Sequence, residues 1–229
     1  MTKAPLISVD YLSKVMIKRT GIIAYLLLAL ALFAQSKVQK FEGCINLKRE
    51  TVYDTTYLKI RVKDNQVRLE EFDRNKVLVS ILLISLDSEK VVAMSPSQKL
   101  FCELKKNRVV DPVLEDTIVI KTKNIMVVDG YSCCQMRVKS ISHDCEVTFW
   151  VTQSDISFFQ SMSKILREFK TDDNLLTYFP INCEAFPIMV VERTLFRKEK
   201  QKVLVTAIQQ VTLSKNLFTI PRDYRKFEN

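Results

Sequence analysis

The chain has 229 residues, 47% of them apolar and 27% charged, with a formal net charge of +9. That balance supports one good hydrophobic core. Three glycines and one histidine exclude glycine-rich phosphate loops and any histidine-built centre beyond His143 alone.

The first element is "GIIAYLLLALALFA", Gly21–Ala34, without a charge, preceded by Lys14, Lys18 and Arg19 and closed by the small residues Ala34 and Ser36. A basic start, a short apolar run and small residues at a cleavage point are the parts of a secretory signal peptide. A membrane-crossing helix needs about 20 apolar residues. The run therefore predicts a signal over residues 1–36, cleaved near Ser36, with a retained anchor as the alternative. Fifteen residues before Met16 are long for such a signal, so Met16 is read as an alternative start. A single domain over 37–229 is then expected in the periplasm or outside the cell, meeting membrane only through this segment or transiently.

Removal of residues 1–36 takes away Lys3, Lys14, Lys18, Arg19 and Asp10, leaving 31 basic against 25 acidic residues and a net charge of +6. The basic residues are scattered. "RKEKQK", Arg197–Lys202, is mixed with glutamate and reads as a solvated hairpin turn. No basic helix or aromatic-basic interleaving is present, so nucleic acid is not an expected partner.

From Lys40 onward, alternation replaces helical spacing. In "QKFEGCINLK", Phe41, Ile45 and Leu47 share one face, with Lys40, Glu42 and Asn46 on the other. Leu58, Ile60 and Val62 oppose Lys59 and Arg61, and "KDNQ" leads into "VRLEEF" as a hairpin. "KVLVSILLISL", Lys76–Leu86, is apolar on both faces and reads as a strand covered on both sides. "DSEK" and "SPSQ" punctuate "VVAM" and "LFCEL". "TIVIKT", "SCCQMRVKS", "CEVTFWVT", "PIMVVERTLF" and "KVLVTAIQQVTL" bring the count to about ten strands with short polar turns. The fold class is mainly β (α+β), a large curved antiparallel sheet or half-barrel.

One segment breaks the pattern. "SDISFFQSMSKILREFK" sets Ile156, Phe159, Met162, Ile165, Leu166 and Phe169 at helical spacing, with Ser154 as N-cap and Lys170 in the last turn. Such a helix cannot bury its stripe alone and must cover the sheet.

The six cysteines are Cys44, Cys102, Cys133, Cys134, Cys145 and Cys183; an even number in an oxidising compartment permits three disulfides. A hairpin turning near "ISHD" puts Cys145 at its turn and the vicinal pair about 23 Å away at roughly 3.3 Å per residue, too far for a bridge within it. Alternation assigns Cys134 to the apolar face with Met136 and Val138, and Cys133 to the polar face with Gln135 and Arg137. Asp129-Gly130 reads as a turn and the pair as the start of a strand, not as a metal or redox motif, which would need Cys-x-x-Cys spacing. His143 and Cys145 fall at a turn without an apolar pocket, so no catalysis is assigned to them. No catalytic residue, metal site or cofactor is predicted.

Several stretches together resemble a secreted domain family of unknown function common in Bacteroidetes, related in fold to periplasmic lipoprotein-carrier-like half-barrels. They are "LKIRVKDNQVRLE", "ILLISLDSEKVVAMSPSQKLFCEL", "DGYSCCQMRV" with "VTFWVT", "AFPIMVVE", and the closing "VTLSKNLFTIPRDY" with Phe218, Pro221 and Tyr224. The chain departs from that pattern in being poor in glycine and rich in cysteine. The resemblance implies a curved half-barrel under helical cover whose concave face holds acyl chains, and it brings no catalytic residues. The expected function is therefore a non-enzymatic envelope protein binding a lipid or other apolar ligand, with Phe41, Ile60, Phe101, Phe149 and Phe159 as lining residues. The alternative is an envelope interaction or scaffold module that binds a protein partner and no small ligand.

Overall fold

Alternating apolar residues hide one side of a strand from water only if neighbouring strands align their apolar sides and something covers them. The computed structural model, which describes residues 41–106, 117–153, 156–169, 178–180 and 183–227, shows this done with one twelve-stranded sheet. β1 (Gly43–Thr51), β2 (Thr55–Lys63), β3 (Gln66–Phe72), β4 (Leu78–Ser85), β5 (Lys90–Ser95) and β6 (Leu100–Glu103) make one meander. β7 (Thr117–Val128), β8 (Tyr131–Ser140), β9 (Cys145–Thr152), β10 (Phe186–Arg193) and β11 (Glu199–Gln210) make a second. Antiparallel pairing of β1 with β11 joins them. The two-residue β12 (Arg225–Lys226) lies parallel to β6. The sheet is curved and does not close, running from β12 at one end to β7 at the other. Residues Lys40–Asn229 make one compact unit.

Local chemistry fixes several of these boundaries. Asp129 and Gly130 both have positive φ, +47° and +82°, the pattern of a two-residue hairpin turn between β7 and β8. A Cβ on Gly130 would meet nothing, so backbone conformation and not space calls for glycine there. At Gly43 the reason is space: a Cβ would collide with the Gln209 carbonyl oxygen across the β1–β11 pairing. With so few glycines, Asp64, Glu89, Lys99, Asp144 and Arg197 take the left-handed turn positions themselves, at about 1–2 kcal/mol each for a residue with a Cβ.

The single helix among the described residues, α1 (Phe158–Glu168), packs Phe158, Phe159, Met162, Ile165 and Leu166 onto one face of the sheet, its inner face. The core there includes Ile45, Ile60, Val67, Ile84, Met136, Val138, Val147, Phe149, Ile188, Val203 and Val205. β4 is indeed apolar on both sides. Ile84 faces this core, while Ile81 and Leu83 join Met94 in a second one on the outer face. The C-terminal segment covers that second core with Ile220 and Tyr224, crossing by a short 3-10 turn, Lys215–Phe218.

Two expectations need correction. The helix is preceded by Ser157 as N-cap, without a side-chain capping bond; Ser154 and Lys170 lie outside the described residues, and Arg167 is the basic residue of the last turn. Cys133 is fully buried and Cys134 exposed, the reverse of simple alternation. The slip falls between Cys133 and Met136, opposite an irregularity in β7 between Lys121 and Ile125, and a bulge adds local twist that re-aims side chains. All six cysteines are free thiols. Residues 1–36 lie outside the described residues, and no described helix is long and apolar enough to cross a membrane.

Candidate functional site

Strand register decides which side chains meet beneath α1. Leu47 of β1 faces Leu58 of β2, and Ile60 faces Leu69 of β3. From the other meander come Phe149, Ile188, Val190, Val203 and Val205, with a bulge between Pro187 and Met189 where β10 meets β9. The helix lays Phe159 and Met162 across them, one turn apart on the same helix face.

Aromatic edges lock this arrangement. Phe159 stands edge-on to Phe179 at 5.2 Å and to Phe186 at 5.0 Å, and Phe149 edge-on to Phe179 at 5.3 Å. Such pairs contribute about 0.5–1.5 kcal/mol beyond burial. Between helix and sheet they leave a cavity of about 50 Å³, and each of its fourteen lining residues is apolar. A cavity with no polar partner for water stays dry. Its volume suits a short aliphatic segment. At its border Arg49, two residues beyond Leu47 on the same strand, lies 3.4 Å from Glu71, which accepts a hydrogen bond from Ser80 at 3.2 Å.

Of the residues expected to line a site, Ile60, Phe149 and Phe159 come together around this cavity. Phe41 is buried elsewhere in the same core, stacked on Phe158 at 5.7 Å. Phe101 packs in the outer-face core with Ile81, Met94 and Tyr224. Sequence reading missed Phe179 and Phe186 as lining residues. Phe186 had a signal, the apolar run "FPIMVV"; Phe179 lies outside any regular element, where periodicity is silent.

The outer face carries a second, open groove of about 440 Å³ between β8, β9 and β10, lined by Gln135, Arg137, Glu146, Trp150, Arg193 and Arg197 among others. Arg137 donates to Glu146 through Nε at 2.8 Å and Nη2 at 2.7 Å, and Lys139 lies 3.3 Å from the same carboxylate. The Arg137 hydrogen bonds hold Glu146 below the usual carboxylate range despite partial burial, and Lys139 adds to this.

His143 Nδ1 lies 3.1 Å from Ser140 Oγ and 3.0 Å from Ser142 Oγ in the β8–β9 turn. Cys145 next to that turn is buried, and burial pushes its thiol up, away from the reactive thiolate. Burial does the same to Cys133. Among the described residues no three His, Cys, Asp or Glu side chains are placed to hold a metal ion.

Several solved structures align with this chain at low identity. An uncharacterized conserved protein from Thermus thermophilus aligns at a TM-score of 0.54 and 8% identity, over 86% of this chain and 95% of its own. PNGF-II aligns at 0.43 and 10% identity, over 81% of this chain but 30% of its own. The Pseudomonas aeruginosa MucA/MucB complex aligns at 0.47 and 7% identity, over 82% of this chain and 58% of the matched one. None of the curated proteins matches this chain. Residues 41–224, from the phenylalanine before β1 to the tyrosine before β12, match the family described as Domain of unknown function (DUF4412), and the chain belongs to that family.

Proposed function

We propose that this protein is an exported, non-enzymatic binding protein that takes an aliphatic chain, such as part of a lipid, between α1 and the inner face of its sheet. The cavity of about 50 Å³ with wholly apolar lining carries this reading. It lies where α1 crosses the seam of the two meanders, and Phe159 and Met162 form its helical wall. The Arg49, Glu71 and Ser80 group at its border gives the polar end of an amphiphile a partner. The basic and apolar pattern of residues 14–36 supports export to the periplasm or beyond.

The test is a native and a denaturing mass spectrum of the protein from an oxidising compartment, with lipid extraction, followed by titration with straight-chain alcohols from hexanol to dodecanol. Affinity rises about fourfold per methylene while the chain stays buried. Ile188→Trp, which fills the space, abolishes the series. An unchanged apo mass with every alcohol overturns the reading. The alternative, an interaction module without a small ligand, draws its support from the exposed β7 edge.

A further inference from the structure

β7 is twelve residues long and ends the sheet; among the described residues no strand pairs with its outer side. Its backbone donors and acceptors on that side form a template for another strand. The other end of the sheet is finished differently. β6 has four residues and is capped by the C-terminal segment, with Arg225 N–H donating to the Lys99 carbonyl at 2.9 Å and Phe227 N–H to the Phe101 carbonyl at 2.7 Å.

The side chains of β7 are also unusual for a free edge. Ile118 and Val119 at one end are about half exposed, and Ile125 and Val127 at the other are 69% and 70% exposed. Between them stand Lys121 and Lys123, and the strand contains no acidic residue. Thr122 Oγ1 and Asn124 Nδ2 donate to Gln135 Oε1 at 3.0 and 2.9 Å, pinning the irregular centre of the strand. The outer groove beside it adds Arg197, its Arg137 and Arg193 being paired with Glu146 and Glu199.

This charge pattern selects the occupant. Two copies pairing through β7 would bring four lysines and no carboxylate into one short ladder, which like charges oppose. A strand with carboxylates at its middle meets the lysines with opposite charge and its apolar ends meet Ile118 and Ile125. We propose that β7 is a docking edge, occupied by an extended segment of a second protein that is apolar at its ends and acidic at its centre and adds as a further antiparallel strand.

Two synthetic twelve-residue peptides test this with the full chain: valine-rich ends around two glutamates, and the same ends around two lysines. Fluorescence anisotropy reads affinity, and amide hydrogen exchange reads where the peptide lies. The glutamate peptide binds and slows exchange over 117–128. The exposed double variant Lys121→Glu, Lys123→Glu reverses the preference, moving each affinity about three- to tenfold, in the range of two exposed ion pairs. Equal affinity for the two peptides, protection away from β7, or association of the chain with itself through β7 without peptide each overturns the proposal.

Discussion

The two faces of the sheet are closed by different means. The inner face is filled by volume: Phe149, Phe159, Phe179 and Phe186 interlock between α1 and the sheet, and the cavity is what their packing leaves. The outer face has a small apolar core over β4 and β5, and elsewhere it is tied by charge. Glu70, buried, binds Arg61 and accepts from Arg68 Nε at 2.7 Å, and Arg68 also donates to the Leu217 carbonyl at 2.9 Å. Glu146, on the outer groove, accepts from Arg137 Nε at 2.8 Å. Apolar packing needs a continuous stripe on adjacent strands, whereas an ion pair needs only two side chains in register. One short C-terminal segment is therefore held to the outer face by few contacts, while the inner face needs a whole helix.

The largest loss comes from the inner face. Phe159→Ala removes a ring from two edge-on pairs and enlarges an existing cavity, and it destabilises by about 3–5 kcal/mol. Phe101→Ala removes a ring that is only partly buried against the outer core, and it costs clearly less. Urea midpoints of both variants measure the difference, and equal losses would remove the distinction between the faces.

Next in size is the tie that holds the C-terminal segment. Arg68→Ala takes one of two cations from a buried carboxylate and frees the Leu217 carbonyl, a loss of about 1.5–3 kcal/mol for hydrogen bonds to charged groups. The contrast is sharpened by where exchange rises. Amides over 213–227 speed up, while those of α1 stay protected.

Much of this is legible in the sequence because the strands are mostly one-faced. Leu58, Ile60 and Val62 alternate with Lys59 and Arg61, and they are buried as that alternation requires. β4 is legible for the opposite reason, since an apolar run on both faces needs two covers. What covers its outer side is not legible. Ile220 and Tyr224 sit in a segment with no period, and only the three-dimensional path brings them to Ile81 and Leu83. Alternation puts the Cys133–Cys134 pair on the wrong faces because a bulge in a neighbouring strand leaves no mark in the strand it twists. The cavity is half legible: the helical stripe marks Phe159, and strand alternation marks Ile60 and Phe149. Phe41 and Phe101 satisfy the same pattern at places where the core is closed.

A smaller effect separates charge from volume by pH. Glu146 is held below the ordinary carboxylate range by Arg137, so its contribution is complete above about pH 4.3 and is lost as pH falls through its lower folded-state value. Arg137→Met removes that contribution at neutral pH, by less than about 1 kcal/mol for a partly exposed pair. Wild type and variant therefore converge as pH falls through the lowered folded-state value, below which the carboxylate is protonated in both. Urea midpoints taken stepwise from pH 7 downward read the convergence. A gap that stays constant would assign the loss to packing of the arginine stem.

The smallest effect on stability belongs to β7, and its smallness carries the contrast to the sheet's edge. Ile125 is 69% exposed and touches neither core. Ile125→Glu therefore changes stability by no more than about 0.5 kcal/mol, as an exposed site away from any packed feature does. It puts a carboxylate where the docking strand is proposed to be apolar, so it weakens the glutamate peptide without weakening the fold. A residue that stabilises the chain loses both together; one retained for a partner loses binding alone. Unfolding midpoint and peptide affinity measured on the same preparation separate these two roles, and a drop of several kcal/mol in stability would return β7 to the core.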